Sequence, residues 1–185
     1  MIDDVIAAAT AKMDKTVANL AHEFSTIRTG RASSAMLERI QVDYYGTPTP
    51  VTQLASVKSP EAHLLVVEPW DKQVLGDVVK ALQKSDLGIT PSNDGNIIRL
   101  PFPPLTEERR KELVKQCSHI AEDAKVAIRN ERREANSRLE KLLKDEDLSK
   151  DEVHRAEETV QKLTDRHVAE VDEAFERKKA EVMEV

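Results

Sequence analysis

Three long segments of this sequence place apolar residues at steps of three and four, and this spacing constrains the fold more than any other feature. The segments cover residues 2–28, 106–144 and 149–182, and no proline interrupts them. Steps of three and four align side chains along one face of an α-helix, so each segment predicts a helix with one apolar stripe. Such a helix buries its stripe only against a partner, so we expect the three helices to pack together.

The ends of the predicted helices carry capping signals. Thr106 precedes the second helix, and Ser149 with Glu152 forms a capping box before the third. Gly30 is a stop signal after the first helix. Only the short segment KDEDLSK, residues 144–150, separates the second and third helices, so these two should run antiparallel. The first helix completes an elongated antiparallel three-helix bundle.

The middle of the chain has a different composition. All eight prolines and four of the five glycines lie within residues 46–104. Short β-branched runs predict strands, and an amphipathic run predicts one helix that starts at Asp71 and stops at Gly88. The predicted strands are residues 40–45, 51–57, 63–69 and 96–102, the last preceded by a turn at Asn93-Asp94-Gly95. These patterns favour a small α+β domain.

The predicted fold class is therefore α+β with two domains. Residues 1–30 and 105–185 form the bundle, and residues 31–104 form the inserted small α/β domain. Two connections, at residues 29–31 and 103–106, join the domains and are expected to act as a hinge. The hinge residues are Thr29, Gly30, Arg31, Pro103, Pro104, Leu105 and Thr106.

Positive charge is concentrated on the second helix of an acidic protein. The formal net charge is −6, yet residues 105–144 carry +3 and residues 145–185 carry −7. Arg129, Arg132 and Arg133 share one helical face, which Lys125 extends by a turn. One interpretation is a solvated face whose cations pair with nearby acids. The other is a nucleic-acid interface, since the planar guanidinium suits bidentate contact with phosphate. The residues alone leave both interpretations open.

Other site classes have little support in the sequence. There is no GxxxxGK[ST] loop for a nucleotide, no nucleophile–base pair and no metal-ligand spacing among the five histidines, so we expect no enzyme activity, cofactor or metal. Cys117, the single cysteine, falls on an apolar stripe and is predicted to be a small core residue. His167 also falls on a stripe and is predicted to be a partly buried packing residue. No signal peptide or membrane-spanning run is recognised, so a soluble cytoplasmic protein is expected.

Three aromatic residues of the middle segment allow two interpretations. Tyr44, Tyr45 and Trp70 could stack on nucleic-acid bases, or they could pack the small domain. The segment has few other aromatic side chains with which to fill a core. Packing is therefore the favoured prediction.

Four stretches resemble the signature stretches of bacterial ribosome recycling factors, in order and at the expected separations. They are STIRTGRAS (residues 25–33), DYYGTPTP (43–50), SDLGITPSNDGNIIRLPFPPLTEERR (85–110) and RNERREAN (129–136). The similarity runs essentially from Ile2 to Val185. It implies a three-helix bundle and a smaller α/β domain set at an angle, in an L shape similar to transfer RNA in size.

The resemblance also implies a function. Members of the family are translation factors that, with elongation factor G and GTP hydrolysis, split post-termination ribosomes into subunits and release mRNA. By this likeness the bundle would lie across the aminoacyl and peptidyl sites as a monomer. The RNA-binding residues would be Arg28, Arg31, Lys125, Arg129, Arg132 and Arg133. The inserted domain would move when elongation factor G acts on it.

The sequence leaves two questions open. Glu131 occupies the variable position of the RNxRR motif, where family members often carry an apolar residue. Its carboxylate could pair with Arg132 or with a residue of another helix. A second hypothesis for the whole chain is a coiled-coil adaptor, which would bind protein partners through an exposed apolar stripe and oligomerise.

Overall fold

The helices from the two ends of the chain form one compact unit. The computed structural model describes residues 1–145 and 148–184. In this helical unit, residues 1–28 pack with the described part of residues 106–185. Its helices are α1 (Ile2–Thr26), α4 (Glu107–Asp145) and α5 (Lys150–Met183), numbered in chain order. No helix of the described residues is long and apolar enough to span a membrane.

The apolar stripes meet in two clusters along the bundle. One cluster joins Ala9, in the first half of α1, to Leu139 near the end of α4 and to Val153 near the start of α5. The other joins Leu20 of α1 to Cys117 near the start of α4. This pairing of ends makes α4 antiparallel to both α1 and α5. It confirms the predicted bundle and leaves each stripe buried against the other two helices.

Capping groups fix where the long helices begin. Thr106 Oγ1 accepts a hydrogen bond from the Arg109 backbone N–H at 3.2 Å. Ser149 and Glu152 form the predicted capping box, with Glu152 N–H donating to Ser149 Oγ at 3.2 Å. Such caps satisfy backbone N–H groups that have no partner inside the helix. At the other end of α1, the buried Lys178 ammonium donates to the Ile27 carbonyl at 3.3 Å, a cap that the sequence did not indicate.

Residues 29–105 form the second unit, which is built mainly from antiparallel strands. Strands β1 (Gln41–Tyr44) and β2 (Thr47–Pro50) make a hairpin. Strands β3 (Ala55–Glu61), β4 (Leu64–Pro69), β5 (Ser92–Asn93) and β6 (Ile98–Pro101) form a sheet in the order β3-β4-β6-β5. Helix α2 (Val51–Leu54) is a single turn, and α3 (Leu75–Lys84) packs with these strands in one apolar cluster.

The predicted strand at residues 51–57 is wrong over its first half. Val51–Leu54 is the helical turn α2, and only the remainder belongs to β3. Val51 and Leu54 are both buried, and a spacing of three places them on one face of a helix but on opposite faces of a strand. The helical turn buries both side chains on the same face, and this burial outweighs the β-propensity of the residues.

Two short strands and one helix end also differ from the predictions. Strand β2 was not predicted, and its two prolines are tolerated because it belongs to a two-stranded hairpin with free edges. The two-residue strand β5 was likewise missed. The predicted helix at 71–88 begins at Asp71, whose carboxylate accepts from Gln73 N–H at 2.9 Å, as a 3-10 turn that leads into α3. It ends at Lys84, four residues before Gly88.

Candidate nucleic-acid interface

Helix α4 presents Arg129, Arg132 and Arg133 together, and we call these three residues the arginine surface. Arg129 and Arg132 are half-buried and Arg133 is exposed, and Arg132 contacts α5. The spacing of three and four brings the side chains onto one face over little more than one turn. Among the residues that the structure describes, no carboxylate forms an ion pair with any of them.

Arg132 is held by a neutral partner. Its Nη1 donates to Gln161 Oε1 of α5 at 3.2 Å, and Gln161 Nε2 in turn donates to Asp165 Oδ1 at 2.8 Å. An amide oxygen orients the guanidinium without cancelling its charge. The other N–H donors of the fork stay available for a further acceptor. The arrangement thus positions a cation on the bundle surface.

Lys125 lies beside the arginine surface but is engaged with acids. Its ammonium pairs with Glu122 at 2.7 Å and with Asp172 of α5 at 3.0 Å, and its side chain is only 15% exposed. Hydrogen bonds to Glu122 and then Asp172 raise the pKa of Lys125 above its ordinary value. Two carboxylates therefore surround this charge, and the pair with Asp172 links α4 to α5.

Glu131 points away from the arginines. Its carboxylate pairs with Lys12 of α1 at 3.2 Å, so of the two open alternatives the structure has the partner on another helix. Lys12 also pairs with Glu134 at 2.8 Å, and Glu134 pairs with Arg138 at 2.7 Å. The hydrogen bonds that Lys12 donates to Glu134 and then to Glu131 raise its pKa, and Lys12 in turn lowers the pKa of Glu134. We call these four residues the paired side of α4.

The two remaining predicted contact residues lie at the end of one unit and the start of the other. Arg28 is the last residue of the helical unit's first segment, and Arg31 belongs to the small unit. Both side chains are exposed. Arg28 and Arg31 are therefore close in sequence but belong to different units. The three residues of the arginine surface, in contrast, all belong to one helix.

Cys117 occupies the core, as predicted, and His167 is buried more completely than predicted. His167 is fully buried, and its ring nitrogens contact Asp14 Oδ1 and the Leu163 carbonyl, both at 2.7 Å. The contact with Asp14 links α5 to α1. Cys117 is fully buried, and burial raises the pKa of its thiol. Within residues 1–145 and 148–184, no cluster of His, Cys, Asp and Glu is arranged to hold a metal ion.

The packing prediction for the aromatic residues is right for Tyr44 and wrong for the other two. Tyr44 packs against the core of the small unit, whereas Tyr45 is 70% exposed and Trp70 69% exposed. Aliphatic residues fill that core. The expectation that the small unit needs its aromatic residues to fill a core was therefore wrong. For Tyr45, the glycine that follows it at a hairpin turn is a signal from which exposure could have been predicted.

Both connections between the units are anchored on the small unit through His63. Its Nδ1–H donates to the Gly30 carbonyl at 3.1 Å, and its own carbonyl accepts from Phe102 N–H at 2.7 Å. Gly30 has a φ of +77°, and a β-carbon there would lie 2.8 Å from Leu105 Cγ. Only glycine fits this combination of left-handed backbone and close approach.

Comparison with known proteins gives one consistent result. Residues 20–183 match the family model described as "Ribosome recycling factor". A ribosome-recycling factor from a Geobacillus species is 54% identical over 185 residues, with both chains covered completely. This similarity therefore includes both units and the connections between them.

Solved structures agree with the sequence relatives. A solution structure of the ribosome recycling factor matches with a TM-score of 0.74 and 41% identity, covering 100% of this chain and 98% of that one. A second match has a TM-score of 0.62, 43% identity and complete coverage of both chains. It is described as "Models for the T. thermophilus ribosome recycling factor and the E. coli elongation factor G bound to the E. coli post-termination complex". The bundle, the inserted sheet and these matches together place the chain in the ribosome recycling factor family.

Proposed function

We propose that this chain is a translation factor that splits post-termination ribosomes into subunits and releases mRNA, together with elongation factor G and GTP hydrolysis. Family membership supports the general role, and the related factor described in a post-termination complex with elongation factor G supports the partners. The observation that carries the proposal for this chain is the arginine surface, with three guanidinium groups and no carboxylate paired to them among the described residues.

The proposed ligand of the arginine surface is the phosphate backbone of large-subunit ribosomal RNA. Three cations within little more than one helical turn match the close spacing of phosphates along a nucleic-acid strand. Arg132 is oriented in advance by Gln161, so less side-chain freedom is lost on binding. Such contacts position the protein without reading base sequence. Lys125 would act at the edge of this surface, chiefly by keeping Asp172 engaged with α4.

We further propose that the two connections act as a hinge, with Arg28 and Arg31 adding contacts to RNA beside it. The chain passes between the units after Arg28 and again after Leu105. Anchoring by His63 would confine backbone rotation to the few residues outside its hydrogen bonds. The expected signature is a change in interunit distance, measured between two fluorophores, when elongation factor G is added to the ribosome complex.

The adaptor hypothesis finds less support. The apolar stripes of all three helices are buried inside the bundle, which leaves no continuous stripe for a partner among the described residues. The exposed large apolar residues in the described part of the helical unit are Met1, Val126 and Met183, which are spread along the rod. Single exposed residues of this kind are ordinary on a protein surface.

Light scattering of post-termination ribosomes tests the proposal. With cognate elongation factor G and GTP, the wild-type chain should lower the scattering as subunits separate, and Arg132→Ala should do so far more slowly. Arg109→Ala is the matched control, because Arg109 is an exposed arginine of α4 whose partner, Glu112, is on its own helix. Absence of splitting by the wild-type chain would overturn the function, and equal rates for the two variants would overturn the role of the arginine surface.

A further inference from the structure

The small unit has an open cleft of about 300 Å³ with an aromatic wall. Tyr44 and Trp70 contribute aromatic side chains, Leu54 an aliphatic one, and Gln53 and Asp71 polar groups. We call this feature the aromatic cleft. It lies wholly within the small unit, so it is separate from the arginine surface, and a ligand could bind in it whether or not the arginines contact RNA.

Trp70 is placed in this cleft by its backbone. Its N–H donates to the Leu54 carbonyl at 3.1 Å, which fixes the start of the side chain beside β3. The indole is nevertheless 69% exposed, although aromatic residues make up only 3% of this chain. Exposing so large an apolar surface forgoes the stabilisation that burial would give. An exposed indole on an anchored stretch of backbone is a feature of recognition sites.

Tyr45, next to the cleft, has a strained backbone. Its φ is +48°, the one positive value at a non-glycine residue in the described chain, and Gly46 follows at +84°. Asn, Asp or Gly ordinarily occupy such a turn position. The Tyr45 hydroxyl donates to Asp71 Oδ2 at 3.2 Å, and the ring meets Tyr44 edge to face at a centroid distance of 4.7 Å. A strained tyrosine held in this way contacts Asp71 and Tyr44, two residues that line the cleft.

The charge of the cleft selects among possible ligands. Asp71 is the one charged residue in its lining, and its carboxylate accepts two hydrogen bonds, from Gln73 N–H and from Tyr45. An ionised carboxylate has about four acceptor positions, so acceptor capacity remains. Asp71 and Asp77 both raise the pKa of Tyr45, which reflects the negative potential here. This potential disfavours the phosphates of RNA, whereas a carboxylate beside aromatic faces favours a cation.

We propose that the aromatic cleft binds the arginine or lysine side chain of a basic segment in a partner protein. The cation would lie over the exposed face of Trp70 and donate to the free acceptor positions of Asp71. The chain would then have two recognition surfaces of opposite charge, one for RNA phosphate on the helical unit and one for a basic protein on the small unit.

The single tryptophan makes the test direct. The protein has one indole N–H, so one NMR resonance reports on the aromatic cleft. The full chain would be titrated with N-acetyl-Gly-Arg-Gly-amide, with the Gln-containing analogue as the neutral control and with oligoadenylate as the RNA probe. The expected result is a saturable shift with the Arg peptide and none with the Gln peptide. A shift with oligoadenylate alone, or no shift with the Arg peptide, would overturn the proposal.

Two variants localise the binding. Asp71→Asn should weaken binding of the Arg peptide by at least about fivefold, because the charged acceptor is lost. Glu68→Gln is the matched control, since it removes an exposed carboxylate of β4 that does not line the cleft, and it should change the affinity less than about twofold by the same reasoning. Because Asp71 also caps a turn, Trp70→Leu provides a second test, read from the Gly46 backbone amide. Unchanged affinity in both Asp71→Asn and Trp70→Leu would refute the assignment.

Discussion

The two sides of α4 both carry basic residues, but the partners of these residues differ. On the paired side, Lys12 of α1 and Arg138 meet Glu131 and Glu134, so two cations face two anions. The arginine surface holds three cations, and their one polar partner among the described residues is the neutral Gln161 of α5, which contacts Arg132. The difference lies in the neighbouring helix, which supplies charge on one side and an amide on the other. A charged helix face is therefore defined by what packs beside it.

This comparison predicts separate effects on binding and on stability. The paired side links α1 to α4, and its charges cancel locally. The arginine surface adds three uncompensated charges to a short stretch of a rod, at the cost of mutual repulsion. Variants of the arginine surface should change ribosome affinity more than thermal stability. Variants of the paired side should change thermal stability more than ribosome affinity.

The largest expected effect is on affinity, from the double variant Arg129→Ala/Arg132→Ala. Loss of the two proposed charge-assisted phosphate contacts should weaken binding to large ribosomal subunits by roughly 100-fold or more. The melting temperature should stay within about 2 °C of wild type, because neither arginine has an ion pair to lose among the described residues. Co-sedimentation and calorimetry measure the two quantities. A fall in melting temperature that accounts for the lost binding would remove the distinction between the sides.

Gln161→Glu is designed to convert the arginine surface into a second paired side. A carboxylate at this position would pair with Arg132, and Asp165 would push the new charge towards it. We expect roughly tenfold weaker binding to large subunits, since the pair must be broken before phosphate is bound. Gln161→Ala is the control and should stay within about twofold of wild type, because it changes no charge. Equal effects of the two substitutions would mean that the amide contact, and not the charge, matters.

Asp172→Asn tests the comparison in the other direction by releasing Lys125. The lysine would keep Glu122 as a partner but lose its ion pair across the helices. One added positive charge beside the arginine surface should tighten binding about threefold at low salt and have no effect at high salt. Weaker binding in this variant would show that the link between α4 and α5 contributes more than the charge of Lys125.

The smallest effect should come from Glu134→Gln on the paired side. The pKa of Glu134 is lowered by Lys12, so its stabilising contribution is present above the ordinary value of 4.5 and is lost as the pH falls through the folded-state pKa. The difference in melting temperature between wild type and variant should therefore be measurable at neutral pH and vanish in acid. Ribosome affinity should not change. If the difference in melting temperature persists in acid, its cause is packing and not the charge of Glu134.

The three long helices of this fold could be predicted from periodicity, whereas its single helical turn and one of its helix caps depend on tertiary contacts. Steps of three and four identified α1, α4 and α5, and Thr106 and Ser149 marked the starts of the last two. The turn at Val51–Leu54 could not be found in this way, because one helical turn has no period and its residues have high β-propensity. The Lys178 cap on α1 joins residues 151 positions apart, which no local pattern indicates.

The candidate site was predicted in its residues but not in its electrostatics. Spacing identified Arg129, Arg132 and Arg133, and it also included Lys125, which is held by Glu122 and Asp172. The sequence leaves the partner of Glu131 open, because only the packing of α1 against α4 brings Lys12 beside it. Exposure of Trp70 could not be inferred, since a lone tryptophan in a small domain ordinarily packs inside it. The charge pairing of Lys125 and Glu131 and the exposure of Trp70 all depend on which other helix or strand packs beside the residue.

The salt dependence of binding to large ribosomal subunits tests the central claim most directly. Affinity would be measured over a range of salt concentrations for wild type, for the arginine surface with all three residues changed to alanine, and for Lys12→Ala/Arg138→Ala. The slope of log affinity against log salt should become shallower by roughly two for the first variant and stay parallel to wild type for the second. Parallel slopes for all three proteins, or an equal loss of slope in both variants, would contradict the claim that the two sides of α4 have different roles.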